Sequence, residues 1–195
     1  MPEPGSEITR LLVDLERGSP GKSEALLALV YDELRAMARA HLARERPGRT
    51  LQATDLVHEA WLRVAGANAQ PWSGRAHFFG AAAQAMRRIL VEQARRRARL
   101  KRGGGGERLD LAEVELAPEL QGPGPEVDVL AVEEALQRLE REDARKARIV
   151  ELRYFAGLTV EETAQALGVS VGTVEREWRF LRAWLQEELG GHAAT

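Results

Sequence analysis

The segment TVEETAQALGVSVGTVEREWRFLR, Thr159 to Arg182, constrains this chain more than any other, because it carries two helix starts and one helix stop in fixed order. Thr159 and Glu162 are spaced as a capping box, in which the hydroxyl accepts from the third helical N–H and the carboxylate reaches back to the cap's own N–H. Gly168 supplies the residue that ends a helix in the left-handed conformation, and Ser170 is placed to cap the next one. Ala164, Gly168 and Val174 fall where two short crossed helices need a small residue, a turn former and a buried apolar side chain. The segment predicts a helix-turn-helix. An ordinary helical hairpin would carry the same caps, so the rest of the chain decides what the second helix reads.

A chain of 195 residues has room for one domain or two small ones. Ala, Leu, Glu and Arg dominate, aromatic residues make up only 5%, and no apolar alternation lasts long enough to build a sheet. This composition favours helix. The absence of cysteine excludes a disulfide framework, thiolate catalysis and Cys-ligated zinc. With no signal peptide and no run of eighteen apolar residues, the expectation is a cytoplasmic protein without membrane insertion.

The net charge of −2 conceals a strong asymmetry. From Met86 to Arg102 eight basic residues face the single acid Glu92, a net +7. From Glu107 to Asp128 seven acids face Arg108 alone, a net −6. Adjacent blocks of opposite sign imply separate electrostatic roles. Glycine and proline clusters at Gly103–Gly106 and Gly122–Pro125 bracket the acidic block and suit no helix interior. The chain is therefore expected to be all-α, with helical domains over 1–102 and 130–190 joined by a flexible acidic linker over 103–129.

In the first part, Leu56, Val57, Ala60, Trp61 and Val64 share one face of a helix that starts near Thr54, leaving Asp55, His58, Glu59 and Leu62 on the other. In a second helix Phe78, Phe79, Ala82, Met86, Ile89 and Leu90 form the apolar stripe. Gln84, Arg88, Val91 and Arg95 then recur on the outer face with Arg87 beside them, a stripe that can lie along a phosphate backbone while Gln84 or Arg88 reaches base edges. The loop between these helices, GANAQPWSGRAH, holds Asn68, Gln70, Trp72, Ser73 and Arg75. Trp72 either stacks on an unpaired base or folds back over the core; the sequence leaves both open.

Enzyme readings fail on spacing. Gly21-Lys22-Ser23 ends like a phosphate-binding loop, but Glu16 stands where its first glycine belongs. His58-Glu59 begins like a zinc-protease helix, yet Leu62 occupies the second ligand position. No catalytic residue, metal site or cofactor is expected.

Taken together, these segments resemble an extracytoplasmic-function sigma factor of bacterial RNA polymerase, the minimal kind with regions two and four. The similarity covers nearly the whole chain. TDLVHEAWLRV resembles the region-two helix that docks on core polymerase, which implies that role for Asp55, His58, Glu59 and Leu62. RAHFFGAAAQAMRRILVEQARRR resembles the segment that opens and reads the minus-ten element, a role implied for Asn68, Gln70, Trp72, Arg75, Gln84, Arg87, Arg88 and Arg95. LRYFAGLTVEETAQALGVSVGTVEREWRFLRAWL resembles region four, whose second helix reads the minus-thirty-five element.

Projected on a wheel, that second helix turns Val174, Trp178, Leu181 and Leu185 inward, and Gly172, Thr173, Arg176 and Arg179 outward. Ser170, Thr173, Arg176 and Arg179 are the expected DNA contacts. Glu175 and Glu177 beside Arg176 make the helix unusually acidic, so weak DNA binding without polymerase is expected. Trp184 is assigned to the core and Phe180 is left open. The resemblance implies core RNA polymerase and promoter DNA as partners, and leaves an anti-sigma protein open as a third. The competing reading is a stand-alone helix-turn-helix regulator acting as a dimer on operator DNA, which would not need the first hundred residues.

Overall fold

The computed structural model describes residues 4–16, 22–43, 51–65, 72, 74–102 and 129–190. Residues 103–128 of the linker expected over 103–129, and the loop residues Asn68 and Gln70, lie outside them; Val129 belongs to a helix. Among the described residues there is no strand. The described residues of the first half form α1 (Pro4–Glu16), α2 (Lys22–Ala43), α3 (Ala53–Val64) and α4 (Arg75–Arg102). The second half contains α5 (Val129–Glu142), α6 (Ala144–Val150), a π-helical turn (Glu151–Phe155), α7 (Val160–Leu167) and α8 (Val171–Gly190).

Local chemistry sets these boundaries. Gln52 and Asp55 cap α3, with the Gln52 N–H donating to Asp55 Oδ2 at 3.1 Å. Asp143 caps α6 by accepting from the N–H groups of Arg145 and Lys146, each at 3.1 Å. The Lys146 backbone hydrogen bond, more than the nearby cations, holds the Asp143 carboxyl below its usual range. The Thr159 hydroxyl accepts from Glu162 N–H at 3.1 Å while Glu162 Oε2 accepts from Thr159 N–H at 2.8 Å, completing the expected capping box. Gly168 closes α7 at φ 64°, a conformation that costs other residues a Cβ clash. Thr173 N–H donates to Ser170 Oγ at 3.2 Å and starts α8.

The turn over 151–155 widens the helix that α6 begins. Ala156 N–H bonds to Glu151 O at 2.9 Å, five residues back. Leu152, Tyr154 and Phe155 of this turn are all buried. Leu152 and Phe155 enter the first half. Phe155 stacks on His41 of α2, with ring centroids 5.4 Å apart and planes 23° from parallel. Leu152 lies over Gly80 of α4, where an added Cβ would come within 2.7 Å of Leu152 Cδ2.

One apolar cluster consequently runs through both halves, from Ile8 and Leu12 of α1 through Phe78, Phe79 and Met86 of α4 to Leu181 and Leu185 of α8. Nothing in the hydrophobic periodicity of either half announced this docking. Periodicity reports that a face is buried, and is silent about which segment buries it.

Candidate nucleic-acid interface

On α3 the apolar residues Leu56, Val57, Ala60 and Val64 are buried, which turns Asp55, His58 and Leu62 to solvent. Leu62 is 72% exposed, an unusual position for a leucine on a short helix that has a core to join. Glu59 is half-buried and pairs with Arg63 at 2.9 Å.

The apolar stripe of α4 is buried as its spacing requires: Phe78, Phe79, Ala82, Met86, Ile89 and Leu90. Its outer face divides in two. Arg88 and Arg95 are exposed together with Arg96 and Arg99. Gln84, Arg87 and Val91, expected outward with them, are covered. Arg87 is only 9% exposed, and its guanidinium lies between two carboxylates of the second half, donating to Glu133 of α5 and to Glu151 at 3.1 Å. Gln84 donates to the same Glu151 oxygen at 3.2 Å, and Arg148 to the other at 2.7 Å. The outward assignment treated α4 as a lone helix packed on one side. In the folded chain the second half packs on the other.

The start of α4 is built around Trp72. This side chain is 7% exposed and meets the rings of Phe78 and His77 edge to face at 5.7 and 5.4 Å. Of the two options left by the sequence, Trp72 takes the core position. Capture of a base by Trp72 would require it to leave this packing. Arg75 sits over the Phe79 ring at 4.7 Å and is held by Glu33 of α2 and Glu162 of α7. His77 is depressed below its ordinary 6.5, first by burial and then by Arg148.

In the helix-turn-helix, Val174, Leu181 and Leu185 are buried and Trp178 is half-buried beneath Arg153, while Gly172, Arg176 and Arg179 face solvent. Ser170 is exposed and Thr173 half-buried, their hydroxyls 2.8 Å apart. The recognition helix is less acidic outward than its sequence implies. Glu177 is buried and accepts from Arg145 of α6 at 2.7 Å, so Arg176, Arg179 and Arg182 face solvent against Glu175. Trp184 is half-buried, and Phe180 is 58% exposed beside Lys146.

A helix-turn-helix, a basic helix and an acidic face with a solvent-facing leucine are thus carried on one chain. A family model described as ECF sigma factor matches residues 5–191. The chain belongs to the ECF sigma factor family. Comparison with curated proteins and with solved structures returns no match. As an ECF sigma factor the protein acts in transcription initiation, with RNA polymerase and promoter DNA as its partners.

Among the described residues no cluster of His, Cys, Asp and Glu could hold a metal ion, and no helix is long and apolar enough to cross a membrane. Residues that sequence reasoning passed over also organise the surface: Glu133, Arg148 and Glu151 around Arg87, and Gly80 beneath Leu152. Only Gly80 left a signal, as a glycine inside a strong helical pattern where it costs about 1 kcal/mol against alanine.

Proposed function

We propose that this sigma factor binds core RNA polymerase through Asp55, His58, Glu59 and Leu62 of α3, and reads and opens the minus-ten element with α4 and the loop before it. Residues 1–102 then form region two and 130–190 region four, tethered by the acidic segment between them. Arg88 and Arg95 would follow the phosphate backbone; Gln84, Arg87 and Arg75 would join them once released from their carboxylates. Asn68, Gln70 and Trp72 would receive the unpaired bases. In region four Arg176 and Arg179, assisted by Ser170 and Thr173, would contact the minus-thirty-five element, since a guanidinium can pair bidentately with guanine. Catalysis belongs to the polymerase.

The observation that carries this reading is the pairing of a helix-turn-helix with a separate helical half whose α3 exposes Leu62 among acidic residues. An operator-binding regulator has no use for such a face. The test is co-elution with purified core polymerase, followed by permanganate reactivity of promoter thymines. Co-elution with polymerase-dependent thymine reactivity is expected. Tight binding of a dimer to duplex DNA with no polymerase association would favour the stand-alone regulator instead.

A further inference from the structure

The contact between the halves takes its charges from the surface that α4 would offer to DNA. Gln84 lies one turn from the exposed Arg88 on the stripe that continues to Arg95, with Arg87 beside it, yet Gln84 and Arg87 are both bound by carboxylates of the second half. Two carboxylates gripping one guanidinium from α5 and the π turn present acceptor oxygens much as a phosphate does. Resting on the sigma reading of α4, we propose that the second half is a built-in competitor for nucleic acid, with Glu133 and Glu151 standing in for the phosphate oxygens that Arg87 would otherwise bind.

Three observations support a reversible latch over a permanent joint. Arg87 Nε is buried and finds no hydrogen-bond partner among the described residues, so the closed form leaves a charged group incompletely satisfied. The seam beside it is not filled: a cleft of about 180 Å³ lies between α4 and α5, lined by Arg87, Arg88, Glu133 and Gln137 among others. Gly80 gives up helix propensity in α4 and leaves the space that Leu152 and Arg148 fill from the second half. Arg75 repeats the arrangement one end further along, shared by Glu33 of its own half and Glu162 of α7. DNA and closure then exclude one another at Arg87. Either partner shifts the equilibrium only by its differential affinity for the open and closed forms.

The 195-residue chain has no cysteine, so Ala36→Cys on α2 and Gln165→Cys on α7, one turn from the Glu33 and Glu162 that share Arg75, admit a donor and acceptor dye that report closure. Binding is read separately with a fluorescent pool of random single-stranded DNA, because the phosphate contribution is independent of sequence. The double substitution Glu133→Gln and Glu151→Gln is expected to lower energy transfer and tighten DNA binding about tenfold, the scale of charge-assisted bonds lost from the closed form. Gly80→Leu keeps a good helix former in α4 and should act in the same direction through bulk alone. Arg87→Ala should abolish the gain in these opened proteins and leave the unopened protein's affinity nearly unchanged.

A charge-matched control, Glu134→Gln with Glu142→Gln at exposed positions of α5, should change neither reading. Unchanged energy transfer in both opened variants, a gain that survives Arg87→Ala, or an equal gain in the control would each overturn the proposal. Neither readout contains polymerase, so loss of core binding would count against the sigma roles of α3 and leave the competition intact.

Discussion

Arg63 of α3 grips Glu92 of α4 with both terminal nitrogens, 3.0 and 2.8 Å from the two carboxylate oxygens. Glu92 is the single acid in the basic run of α4, and this fork pulls its pKa below the usual carboxylate range while raising that of Arg63. Both side chains are solvent-accessible, so the pair adds little to stability. Its effect is to neutralise the single acid within the basic run of α4, and to brace α3 on α4 with Leu62 exposed.

That bracing makes the polymerase contact testable without unfolding the helix. Leu62→Ala and Leu62→Lys remove apolar surface from a face that contributes nothing to the core, and neither touches the Asp55 cap of α3. Each should weaken association with core polymerase about tenfold, near the 1–2 kcal/mol scale of an interface anchor, with helicity unchanged. Titration of dye-labelled protein with core polymerase checks it.

Trp72→Ala should destabilise the protein by about 3 kcal/mol, because the indole fills a buried site against Phe78 and His77. Urea unfolding measures this. A base-capturing tryptophan held in solvent would leave the midpoint where it was.

Acidification should weaken the fold through His77. Its folded pKa lies below 6.5, so the unfolded chain binds its proton first. The stabilisation is complete above about 6.5 and is lost as pH falls toward the folded value. Unfolding free energy measured between about pH 7 and 5 should decline, and His77→Gln should flatten that part of the profile.

In the exposed basic stripe, Arg95→Ala should weaken nucleic-acid binding about equally for all sequences and reduce the salt slope by about 1. Arg176→Ala, at the tip of the recognition helix, should instead relax sequence preference at about 1–3 kcal/mol for a base contact. Competition binding at several salt concentrations separates the two.

The parts of this protein that were legible in the sequence are those settled within one or two helical turns. Thr159, Glu162, Gly168 and Ser170 act on their own backbone neighbours, and each does in the structure what its spacing predicts. The inward stripes of α3, α4 and α8 were legible for the same reason, since a period near 3.6 fixes a face whatever packs on it. What covers the other side of α4 was not. Arg87 and Glu133 are 46 residues apart, with the whole acidic segment between them, and a basic residue looks the same in sequence whether it meets phosphate or carboxylate. Glu177 misled in the same way. It looked like a charge opposing DNA on the recognition helix, and it is turned inward to Arg145.

On the proposed function, this chain gives polymerase its promoters. This is tested most directly by transcribing genomic DNA from the source organism with purified core polymerase, with and without the protein, and mapping the 5′ ends of the RNA. A discrete set of new start sites sharing two upstream elements at one fixed spacing is predicted, lost with Leu62→Lys and redistributed with Arg176→Ala. Start sites that are the same with and without the protein would contradict the account.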